Sequence, residues 1–250
     1  YGAKRMVLSA AGKIDHDQLV RHAEALFGSM NGGAGGRFEP ARYSGGTRSS
    51  PKPFEQSHLL LAFEGPAYSA PDYYAAQVFS SHFGGGISSR LFQEVRERRG
   101  LCYSVYSSYW ALADTGMFGI HAATGASMLE ELIKVVAAEF RRAATKNPSE
   151  AEVARAKAQI KAGMLMGLES SSARAEYMAR QMLLFNRLID TKEVIDRIEA
   201  VTPEAVRTLA AKLLTGSKPS VTIVGAGRKG PAYARLAESL VRGEPGSKLI

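Results

Sequence analysis

The sequence predicts an α+β fold, a mostly antiparallel sheet with helices packed on one face. Three observations carry that expectation. Residues 101–111 (LCYSVYSSYWA) and 115–124 (TGMFGIHAAT) are strand-like runs joined by a turn at Ala113-Asp114, a hairpin signature. From residue 127 to about Leu214 the chain is a nearly unbroken succession of helical patterns. A further strand-like run, PSVTIVGAG (219–227), comes only after those helices. Strands and helices are thus grouped rather than regularly alternated.

Taken in order, residues 5–11 (RMVLSAA) have the apolar character of a short buried strand. Asp15 or Asp17 can cap a helix whose apolar positions Leu19, Ala23, Leu26 and Phe27 repeat at helical spacing, and Gly28 ends it. Residues 29–52 are rich in Gly, Pro and Ser and predict a linker, too long for an ordinary connection within one compact domain. HLLLAF (58–63) predicts a strand, and 71–83 a helix opened by Pro71. Gly84-Gly85-Gly86 stops that helix, and Ser88 caps another that ends at Gly100. Leu129, Leu132, Ile133, Val136, Ala137 and Phe140 form one apolar stripe. Helices follow over 149–168, 172–187 and from Thr202-Pro203 to about Leu214, and a last one spans 233–241.

The two ends of the chain resemble each other. RMVLSAAGK…LVRHAEALF matches SVTIVGAGR…YARLAESLV, with Gly12 against Gly227 and Lys13 against Arg228. With one residue gapped, Arg21 meets Arg235, and Ala23-Glu24 meets Ala237-Glu238. Such a long period points to a duplicated domain rather than a solenoid. Residues 1–28 are then the strand–helix remnant of a first copy, and 53–250 the second copy. The first residue is Tyr1, and Tyr-Gly-Ala-Lys-Arg has the pattern of neither a signal nor a transit peptide, so a fragment or a processed form is expected.

Composition excludes several functions. The 250 residues are 45% hydrophobic and 22% charged, with 10 Phe, 10 Tyr and 1 Trp, enough to seed a core. No apolar run reaches the length of about 20 residues that a membrane helix needs. One cysteine forbids an internal disulfide framework or a multi-cysteine zinc site and is compatible with a reducing compartment. The net charge of +8 raises the question of nucleic acid, but the one dense basic cluster, Arg96 to Arg99, is interrupted by Glu97 and lacks interleaved stacking aromatics. Gly225-Ala226-Gly227-Arg228-Lys229-Gly230 has the spacing of a dinucleotide fingerprint but not the second strand and acid that must follow, so a strand-to-helix turn is expected. Gly84 to Ser89 lacks the Lys of a phosphate loop, no Ser sits in a nucleophile elbow, and Cys102 is expected in the core. None of His16, His22, His58, His82 and His121 pairs at metal-binding helical spacing.

The stretch 84–125 is the most specific. SSRLFQEVRERRGLCYSVYS followed by DTGMFGIHAATG resembles the second homologous domain of the inverted-motif zinc metallopeptidases, the family of pitrilysin, insulysin and the mitochondrial processing peptidase. The resemblance continues more loosely over 53–250 and agrees with the inferred duplication. It implies two similar α/β domains enclosing a chamber. It implies zinc bound by His-x-x-Glu-His in the first domain, with the Glu as general base; that motif does not occur in this sequence, so no zinc is expected in this chain. It implies that Arg96 and Tyr103, seven residues apart, face the zinc across the chamber. A guanidinium there can grip a peptide carbonyl, and a phenol can donate to the developing oxyanion. The expected partners are a peptide or unfolded polypeptide substrate and an N-terminal zinc-binding homologous domain, on the same chain or another. Pairing of the exposed 5–11 edge could add a homodimer, and bacterial relatives suggest a cytoplasmic setting. The expected function is the substrate-facing part of a zinc metalloendopeptidase. The alternative is a non-catalytic peptide-binding or scaffold subunit of the same family, and nucleic-acid binding ranks below both.

Overall fold

The computed structural model describes residues 2–33 and 39–243. The chain divides into two compact units, one of residues 1–40 with 161–195, the other of 41–160 with 196–250.

The larger unit is built on a five-stranded sheet. Its strands are β1 (Gly46–Ser50), β2 (Ser57–Gly65), β3 (Ser104–Ala111), β4 (Gly116–Thr124) and β5 (Ser220–Val224), in the order β1-β5-β2-β4-β3. Only β1 and β5 run parallel; β2 is antiparallel to both β4 and β5, and β3 to β4. The β3–β4 hairpin expected from the sequence is present, with Tyr106 opposite His121 and Trp110 opposite Met117.

Alternation along the strands sets the two faces. Leu59, Leu61 and Phe63 on β2, Phe118, Ile120 and Ala122 on β4, and Val221 and Ile223 on β5 are buried. Helices α2 (Tyr73–Gly84), α3 (Leu129–Thr145), α7 (Pro203–Gly216) and α8 (Gly230–Arg242) belong to this unit, and α2, α3, α7 and α8 contact the strands. Five phenylalanines, Phe63, Phe79, Phe83, Phe118 and Phe140, mesh at the centre, Phe63 and Phe140 with ring centroids 4.6 Å apart. Phe140 comes from the α3 stripe, all of whose expected members are buried. On the other face lie Leu60, Tyr106, Trp110 and Met117, all exposed.

β1 lies inside the stretch expected to be a linker. Gly-Thr-Arg-Ser-Ser has no apolar alternation to announce it; it is a strand because β5 supplies a ladder, from Gly46 opposite Ser220 to Ser50 opposite Val224. Part of the expected linker, 34–38, lies outside the described residues. The glycine motif at 225–230 is the turn expected: β5 ends at Val224, Gly225 and Gly227 take positive φ (87° and 54°), and α8 starts at Gly230.

The smaller unit holds a 3-10 turn (Ala3–Arg5), α1 (His16–Phe27) and α5 (Ser171–Phe185). Asp15 caps α1, its Oδ1 accepting from Gln18 N at 2.8 Å. Asn186 closes α5 in the left-handed region at φ 52°. Residues 6–11 form no strand, because among the described residues no other strand lies beside them to complete a ladder. Two helices run across the division, α4 (Glu150–Gly167) and α6 (Thr191–Glu199); α6 is an element the sequence reading did not separate.

Candidate functional site

The segment between α2 and β3 positions the site. Its helix is not the regular one expected over 88–99: residues Phe92–Glu97 form a π-helical turn, with Arg98 N donating to Gln93 O at 3.0 Å. π-Turns are rare and often mark functional positions. Gly100, at φ 60°, then swings the chain into β3.

Three arginines crowd this turn, and one carboxylate sorts them. Glu94, buried at the base of the turn, binds Arg98 and Arg99, with Arg99 Nη1 2.7 Å from Oε2. The Arg99 hydrogen bond, working against burial, holds the Glu94 carboxyl below the usual carboxylate range. Arg99 also donates to the Glu94 carbonyl at 2.7 Å. Arg96 takes the other direction. Its guanidinium carbon lies 4.5 Å from the centroid of the Tyr103 ring and 4.6 Å from that of Phe92. Its Nε is 3.8 Å from Glu97 Oε1, a loose contact. The structure therefore brings together the two residues singled out in the sequence, and adds a third. Phe92 was absent from the sequence reading, although its position four residues before Arg96 on a helix was a usable signal.

Tyr103 is largely exposed, and among the described residues its hydroxyl has no hydrogen-bond partner, so its donor points to solvent. The arrangement offers a planar, forked cation held in place by two rings beside an available phenol. That pair can bind a carbonyl or an oxyanion. Cys102, next in sequence, is buried; desolvation pushes its thiol up to about 11, against the charge of Arg96, so it is no nucleophile at neutral pH.

The glycine run beside this turn is a packing requirement. A Cβ on Gly84 would stand 2.4 Å from Ser107 N, so α2 reaches β3 only because residue 84 has no side chain. Gln159 Nε2 donates to Gly85 O at 2.9 Å, and Gln93 Nε2 to Ile87 O at 2.8 Å. Beneath the loop Arg90 reaches Glu139 and Glu152, each at 3.4 Å, and Ser149 and Glu152 form a reciprocal capping box. His82 is buried in this cluster.

Among the described residues no three of His, Cys, Asp and Glu gather into a metal site. His58 Nδ1 and His121 Nε2 lie 3.2 Å apart, sharing one hydrogen bond rather than diverging onto an ion. No described helix is long and apolar enough to cross a membrane.

A sheet with helices on one face, a π-turn, and an arginine laid on an exposed tyrosine are the features the described residues show. Comparison with known proteins gives the family. Residues 1–160 match the family described as the peptidase M16 inactive domain, and the chain belongs to it. It is 36% identical over 224 residues to an uncharacterised zinc protease of Rickettsia felis, covering 89% of this chain and 54% of that protein. Among solved structures it is similar to a peptidase M16 inactive domain from Pseudomonas fluorescens, at 27% identity and TM-score 0.74 over 85% of this chain and 52% of that one. It shares its fold with a chain of the Candida albicans complex III2 structure with Inz-5 bound, at TM-score 0.81 and 23% identity over 92% of this chain and 57% of that one. The chain spans about half the length of the curated relatives it matches.

Proposed function

We propose that this chain is the C-terminal, substrate-facing part of a zinc-dependent metalloendopeptidase that cleaves peptides or unfolded segments. The observation that carries the reading is the Arg96–Tyr103 pair, stacked at 4.5 Å with the phenol unengaged, in a domain of the M16 peptidase family. Among the described residues none gather into a zinc site, and on this reading the metal belongs to a preceding homologous domain, on the same chain or a partner. This chain binds and orients. Arg96 donates in a fork to a peptide carbonyl, and the two rings that flank it keep it from collapsing onto Glu97. Tyr103 donates its proton to the oxygen on which charge builds during bond cleavage.

The test uses the complete gene product, with zinc content measured and a quenched peptide as substrate. Arg96→Ala and Tyr103→Phe are each expected to lower kcat/KM by about 100-fold, the loss typical of one oxyanion donor. Stoichiometric zinc should be retained in both. Full activity in both variants overturns the roles. A complete protein that binds no zinc and cleaves nothing overturns the peptidase reading and leaves a peptide-binding or scaffold subunit.

A further inference from the structure

The open face of the sheet is divided in two. A solvated face of an antiparallel sheet is ordinarily polar. That holds where β5 and β1 present Ser220, Thr222 and Arg48. It fails where β2, β4 and β3 present Leu60, Met117, Tyr106 and Trp110; Tyr106 is 46% exposed and Trp110 51%. The apolar half is the half that adjoins Tyr103, and an exposed apolar patch so confined marks a binding surface. The register sets its residues in two rows. Tyr106 stands opposite His121, and His121 opposite Leu60; Trp110 stands opposite Met117. Between the rows lies Gly119. A Cβ there would stand 2.9 Å from Trp110 Cζ3, so the indole lies over Gly119, close against the sheet. The Tyr106 and His121 rings are tilted together, with centroids 5.0 Å apart. Burial, and after it the neighbouring His58, lowers the His121 imidazole, so that ring is uncharged at neutral pH.

We infer that this shelf is a side-chain subsite, where Tyr106 and Trp110 take up an aromatic or long aliphatic residue of a bound peptide. The inference rests on the proposed function and adds a sequence preference to it. Position argues for a peptide. Tyr103 stands one residue before β3, and Tyr106 and Trp110 lie along that strand. At about 3.3 Å per residue they stand about 10 Å and about 23 Å from Tyr103. A peptide whose carbonyl is gripped at Arg96 and Tyr103, and which runs extended along β3, passes over them with residues three and seven places from that carbonyl. Chemistry argues for an apolar residue. The two rings, Leu60 and Met117 offer area rather than charge, and Glu64, opposite Met117, repels an acidic side chain. The indole is already seated on the sheet, so little freedom is lost when an occupant settles on it.

Positional peptides test the subsite. With the complete gene product, quenched peptides carry Phe or Asp at each place in turn on either side of the cleaved bond. Phe three or seven places from the bond should lower KM about 10-fold against Asp, the gain from burying one large apolar side chain, with kcat little changed. Trp110→Ala should erase the preference at the farther place, and Trp110→Phe should keep most of it. Gly119→Ala, which lifts the indole, should weaken it. Binding is read separately in this chain, whose only tryptophan is Trp110. A Phe-bearing peptide should move its fluorescence to shorter wavelength and saturate, and the Asp peptide should leave it in place. If the complete protein cleaves, equal KM for all peptides overturns the inference and leaves the peptidase reading standing. If it cleaves nothing, that reading falls and fluorescence decides: a saturating shift with the Phe peptide alone upholds the subsite, and an unmoved spectrum overturns it. A shift that follows protein concentration without peptide gives the face to a second copy. One produced by a single-stranded oligonucleotide and not by peptide gives it to nucleic acid. Both overturn the inference.

Discussion

His82 shows how one buried side chain ties stability to acidity. Burial is the main reason its imidazole is pushed down to about 4; Glu152 opposes the shift, and Arg90 and Arg155 add to it. The unfolded chain takes up that proton near pH 6.5, while the folded chain refuses it until about 4. Between those values the unfolded state binds more protons, so stability falls as pH falls, by up to about 3 kcal/mol in full. Glu152 acts below that. Burial raises its carboxyl, but the Ser149 hydrogen bonds and the charges of His82 and Arg90 outweigh burial and bring it to about 2. Its contribution is present above pH 4.5 and is lost between there and 2. Urea unfolding at pH 7 and pH 5 should show the His82 loss, and His82→Gln should flatten it. An equal slope in the variant would assign the effect elsewhere. Arg96 lends itself to a finer substitution. Arg96→Lys keeps the charge but loses the flat face between Phe92 and Tyr103, so the peptide cleavage proposed for the complete gene product should fall nearly as far as with Ala.

At the level of elements, the join of α2 to β3 has the narrowest tolerance. Gly84→Ala would drive a methyl into the Ser107 amide and should cost more than about 2 kcal/mol, while Gly86→Ala, whose nearest neighbour is the Gln159 side chain at 3.4 Å, should be tolerated. Paired denaturant titrations of the two variants decide it. Most elements were legible beforehand because their apolar spacing was unambiguous: the β3–β4 hairpin, the α3 stripe and β5 all stand where periodicity put them. The misses have physical causes. β1 has no pattern of its own and is imposed by its neighbour. The 5–11 run has the pattern but no ladder. The π-turn inserts a wider coil that a 3.6-residue period does not express. Nor could spacing alone say that Arg96 and Tyr103 meet: it permitted the contact, the family resemblance suggested it, and the Glu94 clamp on Arg98 and Arg99 shows why Arg96 is the one left to make it.

Over the whole molecule, stability is unevenly distributed. The larger unit buries the phenylalanine cluster and packs four helices against its sheet, whereas in the smaller one α1 buries nothing and α5 buries only Gln181. Regions with few buried apolar contacts open locally at low free energy. Limited proteolysis of this chain should therefore cut within 6–33 or 161–188 long before it cuts the sheet. First cuts inside β2 or β4 would contradict this distribution.

The two ends of the sheet also differ in what they offer to a stranger. The outer strand β1 presents Thr47, Arg48 and Ser49, so a chain adding there gains hydrogen bonds and little else. The outer strand β3 presents Tyr106 and Trp110, with apolar surface enough to reward an added strand. Aggregation at high concentration should thus be directional, growing from the β3 rim and ending at the β1 rim. A charge placed at Trp110 would be the substitution to try against it.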